Sequence, residues 1–202
     1  MSQTIKITHS KNLIESEYIL AARKEKFEKI EMEKIIKNLQ LSSSNYMNAG
    51  LLIIDVNKWI NGNLTQKLCE KLLQIENNII YWDQDVFNAY LDGAFYELPE
   101  SLNCYTNLED NLIVREEIKI VHFYGSKKPW TTKGILNKKS TYYQDMYREL
   151  GLGSYHITHK RRRESVKHLI SGIFNLKIIY IKKPISFLKD FLTSLSKKPN
   201  II

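Results

Sequence analysis

Apolar positions along the chain alternate between short continuous runs and helical stripes. Residues 4–7 (TIKI) and 18–22 (YILAA) have the length of strands, with a polar loop between them. Phe27, Ile30, Ile35, Ile36 and Leu39 recur among Lys and Glu at the spacing of one helix face. Residues 41–50 (LSSSNYMNAG) have the small and polar character of a loop. The run that follows, 51–56 (LLIIDV), is apolar on both faces, as suits a strand inside a helix-covered sheet. Asn63-x-x-Gln66 has the pattern of a capping box, predicting a helix with Leu64, Leu68, Leu72 and Leu73 on its core side. Val86, Phe87, Tyr90 and Leu91 form the face of another helix, which Asp92-Gly93 ends. Strands are predicted at 94–98 and 118–124, separated by a Pro- and Asn-rich loop. Strands alternating with helices predict an α/β sheet.

After Gly151-Leu152-Gly153 the character changes. Val166, Leu169, Ile170, Ile173 and Phe174 make one helical face; beyond Pro184, Phe187, Leu188, Phe191, Leu192 and Leu195 make a second. Charge sharpens the division. Residues 156–202 hold eleven Lys/Arg against Glu164 and Asp190, a balance of +9 that exceeds the +8 of the whole chain. The basicity therefore belongs to the C-terminal stretch. At 202 residues, 43% hydrophobic and 26% charged, the composition is that of a globular protein with a sizeable core. The two cysteines, Cys69 and Cys104, form no CxxC and read as buried thiols in a reducing compartment. No apolar run reaches membrane-spanning length.

Three polar clusters stand at the ends of apolar runs. The first is Tyr46-Met47-Asn48-Ala49-Gly50: small residues admit close backbone approach, and Asn48 offers donors and acceptors. It is equally the composition of a turn. The second, Asp83-Gln84-Asp85, puts two carboxylates and an amide on the first turn of a helix, where the backbone dipole favours negative charge. An acidic N-cap has the same pattern. The third is His122-x-x-Gly125-x-x-Lys128-Pro129-Trp130, at the end of a predicted strand, where open α/β sheets bind ligands. His122 is read either as a hydrogen-bonded core residue or as a metal ligand, with Lys128 offering an ammonium for phosphate oxygens. His156 and His159 are spaced as a pair of ligands, but no third ligand is in view.

YMNAGLLIIDVNKW, WDQDVFNAYL and VHFYGSKKPW, in that order, resemble glycosyltransferase family 8, and within it the lipopolysaccharide-core galactosyl- and glucosyltransferases. The resemblance covers roughly residues 15–150. It implies a GT-A (Rossmann-like) α/β fold, a UDP-sugar donor, Mn²⁺ or Mg²⁺, and transfer with retention of anomeric configuration. Carried onto this sequence, it places Asn48 and Ala49 against the donor sugar-nucleotide and Asp83 on sugar hydroxyls. It places Gln84 near the anomeric carbon, His122 on the metal, and Gly125 and Lys128 on the diphosphate.

Family members also carry a further N-terminal stretch with the first strands, the uracil-binding residues and an Asp-x-Asp that supplies the other metal ligands. The resemblance therefore implies a partial, N-terminally truncated GT-A domain over 1–150, followed by a basic, mainly helical extension over 151–202. One histidine does not hold a hard divalent cation tightly, so the chain alone is expected to bind UDP-sugar weakly. Basic amphipathic helices with aromatic residues lie on anionic membrane surfaces; packing of these helices on the domain is the other reading. No nucleic-acid module is recognised, and none is expected as partner. The expected function is transfer of galactose or glucose from a UDP-sugar to a lipopolysaccharide or lipooligosaccharide acceptor, at the cytoplasmic face of the bacterial inner membrane. The competing expectation is a non-catalytic remnant or membrane-surface binding module.

Overall fold

The computed structural model describes residues 8–105, 119–125 and 128–196, so the strand predicted at 4–7 and the start of that predicted at 118–124 lie outside the described residues. The chain divides into two compact units, the first ending its main run at Cys104 and taking back the segment through His122, the second holding Phe123 onward.

The first unit runs α1 (Thr8–Glu15), β1 (Leu20–Lys24), α2 (Lys29–Leu39), β2 (Met47–Ile54), α3 (Val56–Asn61), α4 (Leu64–Ile75), α5 (Asp83–Leu91) and β3 (Tyr96–Glu97), then the short strands β4 (Cys104–Tyr105) and β5 (Val121–His122) that straddle the division. β1 is central, antiparallel to β2 and parallel to β3. Its sequence explains this. Leu20 and Ala22 face Met47 and Phe95 on one side, Ala21 faces Leu13, Leu98 and Leu102 on the other, and all three are fully buried. Alternate side chains point to opposite faces, so a strand covered on both needs small apolar residues, and YILAA supplies them. A third cluster, Ile35, Leu39, Leu41, Tyr46, Ile75 and Val86, joins α2, α4 and α5.

Several predicted boundaries move. β2 starts at Met47, inside the stretch read as a loop, and ends at Ile54 because the Asp55 carboxylate accepts the Lys58 N–H (3.1 Å) and opens α3. Asn63 does not cap α4: its backbone is left-handed (φ 49°) and its side-chain amide donates to Gln66 Oε1 at 2.7 Å. Leu64, Leu68 and Ile75 face the core, whereas Leu72 and Leu73 point to solvent. α1 fills what was predicted as loop, and of the strand predicted at 118–124 only Val121–His122 is extended in a ladder.

The second unit contains α6 (Thr132–Ile135), α7 (Ser140–Glu149), α8 (Arg162–Phe174) and α9 (Pro184–Ser196), with a 3-10 turn at Lys177–Tyr180. Ile135, Leu136, Tyr155, Ile181, Phe187 and Phe191 form its core, and Val166, Leu169 and Leu195 pack against it. Each predicted amphipathic face is thus split. Ile170, Ile173, Phe174, Leu188 and Leu192 remain exposed. The two histidines are used separately. The His156 ring stacks between Trp130 and Tyr147 while Nδ1 bonds the Tyr143 hydroxyl; His159 Nε2 lies 2.8 Å from Ser194 Oγ. Burial lowers the pKa of both imidazoles.

Asp92 illustrates how loops are fixed. It ends α5 with a left-handed backbone, and its carboxylate accepts the N–H groups of Ser42 (2.9 Å) and Ser43 (3.2 Å) and the Ser42 hydroxyl (2.6 Å). Burial by itself raises this carboxyl, but the Ser42 and Ser43 bonds outweigh it and hold the group below the usual carboxylate range. A depressed folded-state pKa adds stability that is present above the unfolded value of about 3.9 and is lost as pH falls through the folded one. Asp92→Asn is accordingly expected to lower stability at pH 7 by about 1 kcal/mol. It should also flatten the decline below pH ~4, as read by urea denaturation across pH; an unchanged acid limb would exclude Asp92 as a contributor.

Candidate active site

The pairing of β1 with β2 contains an irregularity on which the site is built. Ala22 pairs with Leu52 and the next residue, Arg23, pairs with Asn48, leaving Ala49, Gly50 and Leu51 looped out of the ladder. Bulges of this kind free backbone groups and re-aim side chains. The freed amides find side chains: Gly50 N–H donates to Asn48 Oδ1 (2.9 Å), and Ala49 N–H donates to Gln84 Oε1 (3.0 Å) on the first turn of α5. Asn48 is locked further. Its Nδ2 donates to Glu25 Oε2 at 2.6 Å, and its Oδ1 also accepts from Asn103 Nδ2 at 2.9 Å. Arg23 in turn donates to the Asn103 carbonyl (2.7 Å) and to Glu100 Oε1 (2.6 Å).

α5 is seated by its polar residues. Asn88 accepts the Met47 N–H (2.7 Å) and donates to the Met47 carbonyl (3.0 Å), completing the edge of β2 like a strand residue. Asp85, 1% exposed, accepts the N–H groups of Ile80 (2.6 Å) and Tyr81 (2.7 Å) and the hydroxyl of Tyr46. Burial, then the Asp85 bond, push the Tyr46 phenol far up; burial and the hydrogen bond to Glu31 raise Tyr81 to about 12. So the three residues of Asp-Gln-Asp divide their roles. Asp83 is exposed, Gln84 is half-buried against the bulge, and Asp85 is a structural acceptor.

His122 completes the cluster. A Cβ added to Gly50 would lie 1.9 Å from His122 Cε1, so the imidazole rests directly on the bulge and position 50 has room for glycine alone. Asn48, Ala49, Gln84 and His122 therefore come together. Beside them, Glu25 opens onto a cavity of about 650 Å³ lined also by Lys24, Lys26, Tyr96, Glu97 and Glu100. Gly125 and Lys128 belong to the second unit. Gly125 has φ 73° with open space around its Cα, and Lys128 Nζ donates to the Phe123 carbonyl at 2.6 Å. Mn²⁺ or Mg²⁺ needs several oxygen donors, and among the described residues no three His, Cys, Asp or Glu side chains converge. The described residues thus do not by themselves make a cage for the cation around His122.

Comparison with known proteins gives the family. The family model for glycosyl transferase family 8 matches residues 7–134, more than half of the chain. The chain belongs to glycosyltransferase family 8. It is 30% identical over 95 residues to the lipopolysaccharide 1,2-glucosyltransferase of Escherichia coli (strain K12), covering 42% of this chain and 28% of that enzyme. It is 31% identical over 99 residues to the lipopolysaccharide 1,3-galactosyltransferase of Salmonella typhimurium, covering 45% and 29% respectively. Among solved structures, the galactosyltransferase LgtC in complex with donor and acceptor sugar analogues superposes with a TM-score of 0.50 at 18% identity, covering 74% of this chain and 56% of that one. The fold of this family 8 chain is GT-A. It spans well under half the length of these curated relatives.

Glu25, Arg23, Asn88 and Asn103 were missed by sequence reasoning. Asn88 lies four residues past Gln84, on the same helix face, and that spacing was a usable signal. Glu25 and Asn103 carried none, being joined to Asn48 only through folding.

Gly50→Ala tests the cluster. The methyl group must displace the His122 ring, at a cost of about 1–3 kcal/mol. A shifted His122 ring resonance together with an earlier urea midpoint is expected; an unmoved imidazole would refute the close packing.

Proposed function

We propose that this family 8 chain transfers galactose or glucose from a UDP-sugar to a lipopolysaccharide or lipooligosaccharide acceptor, with retention of anomeric configuration. The observation that carries the reading is the convergence of Asn48, Ala49, Gln84 and His122 around one bulge at the edge of the sheet. In this reading Asn48 and Ala49 border the donor sugar, Asp83 accepts its hydroxyl protons, and Gln84 lies by the anomeric carbon. His122 contributes one nitrogen toward a divalent cation, while Gly125 and Lys128 serve the diphosphate. The sugar–phosphate bond breaks to leave negative charge on the diphosphate and positive charge on the sugar ring. In this reading the Lys128 ammonium offsets the first. An acceptor hydroxyl bonds to the anomeric carbon from the face the diphosphate is leaving, and the departing phosphate takes its proton. UDP and the new glycoside are the products. Gln84, an amide, is too weak a nucleophile for a double displacement; in this reading it orients the sugar while its Oε1 holds the bulge.

Support for the acceptor class comes from the lipopolysaccharide transferases among the relatives. The second unit fits such an acceptor. No helix among the described residues is long and apolar enough to cross a membrane, but Phe174 and Ile185 are 83% and 84% exposed, with Lys177, Lys182 and Lys183 between them. Apolar residues ringed by lysine favour an anionic bilayer surface, and peripheral attachment at the inner face of the inner membrane is the proposed location.

Two measurements test this. Radiolabelled UDP-galactose or UDP-glucose with Mn²⁺ and lipopolysaccharide core acceptor is expected to give slow transfer with retained configuration. Gln84→Ala should reduce turnover by roughly 10²-fold or more, the range for a lost transition-state donor. No labelled acceptor from the parent chain would favour the non-catalytic reading, and an inverted product would exclude the mechanism. In flotation, binding to phosphatidylglycerol vesicles but not phosphatidylcholine is expected, and Phe174→Ser with Ile185→Ser should abolish it; equal behaviour on both vesicles would remove the membrane assignment.

A further inference from the structure

Trp82 combines two features that the packing of the first unit does not explain. Its backbone lies at φ 52°, ψ −127°, and its side chain is 82% exposed. The Gln84 N–H donates to the Tyr81 carbonyl at 3.1 Å, closing a turn with Trp82 at its first central position. Those angles are the type II′ turn, whose first central position belongs to glycine because a Cβ there is strained. The turn is held from outside: Asp85 captures the Ile80 and Tyr81 N–H groups, and the Tyr81 ring packs on Phe27 at 5.3 Å. A bulky residue kept in a strained conformation by its surroundings, with its ring in water, points to use of the ring.

The position says what the use is. Trp82 immediately precedes Asp83 and Gln84, and Gln84 is bonded to Ala49 on the bulge, so this exposed residue lies two positions along the chain from a member of the Asn48–Gln84–His122 cluster. A flat ring with an apolar face and one N–H donor complements a pyranose, whose C–H face is apolar and whose edge carries hydroxyls. We infer that the Trp82 indole is a stacking face for a pyranose ring at this site and a determinant of sugar affinity. The inference rests on the transferase reading above. The ring belongs either to the donor sugar or to the acceptor, and the probes distinguish them.

The test uses the chain labelled with 5-fluorotryptophan, whose three tryptophans, Trp59, Trp82 and Trp130, give separate ¹⁹F lines. Trp82→Gly assigns the middle residue and relieves the turn. Methyl β-galactopyranoside, UDP-galactose and uridine are titrated separately. Movement of the Trp82 line with the methyl glycoside assigns an acceptor pyranose; movement with UDP-galactose but not with uridine or the glycoside assigns the donor sugar. Trp82→Gly is expected to melt roughly 2–4 °C higher yet to bind the responsive sugar roughly 2–10-fold more weakly, as followed by the Gln84 side-chain amide in ¹⁵N spectra. Trp82→Phe, which keeps a flat ring and the strain, is expected to retain most of the affinity without the gain in melting temperature. A Trp82 line that stays fixed while the Gln84 amide responds overturns the stacking face and leaves the transferase reading standing. Failure of both signals overturns both, a response to uridine alone overturns the sugar assignment, and a lower melting temperature for Trp82→Gly overturns the strain argument.

Discussion

The N–H groups released where β2 bulges away from β1 must each find an acceptor, and the first unit is arranged around meeting that need. Buried backbone donors without partners are costly. Asn48 turns its own side chain back to Gly50, and Gln84 reaches from α5 to Ala49. Once these bonds exist, α5 cannot slide along β2, and the bonds of Asn88 to both backbone groups of Met47 fix the same register. One irregularity thereby determines where a helix begins, which residues it presents, and why position 50 is glycine.

The same bonds explain how a polar site survives beside a buried strand. Asn48 sits in a relay through Asn103 and Arg23 to Glu100, with Glu25 on its other side, and of these groups the buried Asn103 Oδ1 accepts no hydrogen bond. A connected network of this kind holds side chains in one arrangement. Arg23, Glu25 and Glu100 of this network also line the cavity. Asp85 plays the corresponding role under the helix, collecting two backbone donors that would otherwise be left open beneath Trp82.

In the second unit, helices α8 and α9 divide their apolar residues between two surroundings. Phe187 and Phe191 are interior, edge-to-face with Tyr155 and His159 respectively, while Leu192 and Phe174 face outward. A helix face wider than its packing partner leaves a residual apolar stripe. The helices thus pack as a core, as the second reading of the C-terminal stretch expects, and still leave apolar side chains exposed.

The alternation of strands with helices, the strand character of YILAA, and the family were legible in the sequence because local period and motif spacing are properties of the chain alone. The motifs grouped Asn48, Ala49, Asp83, Gln84, His122, Gly125 and Lys128; the first unit brings Asn48, Ala49, Gln84 and His122 together, while Asp83 is exposed and Gly125 and Lys128 belong to the second unit. Other features depended on pairing between distant segments. The start of β2 at Met47 follows from register with β1 and from Asn88, 41 residues away, not from the apolarity of 51–56. Leu72 and Leu73 look like core residues in a helical pattern, but only the contacts of α4 decide which side of it is covered. The division of labour within Asp-Gln-Asp was likewise hidden, since adjacent residues on a helix point in different directions and meet different neighbours. Sequence determined which chemical groups were available; long-range hydrogen bonding, which no local window contains, decided which of them serve the fold and which stay at the surface.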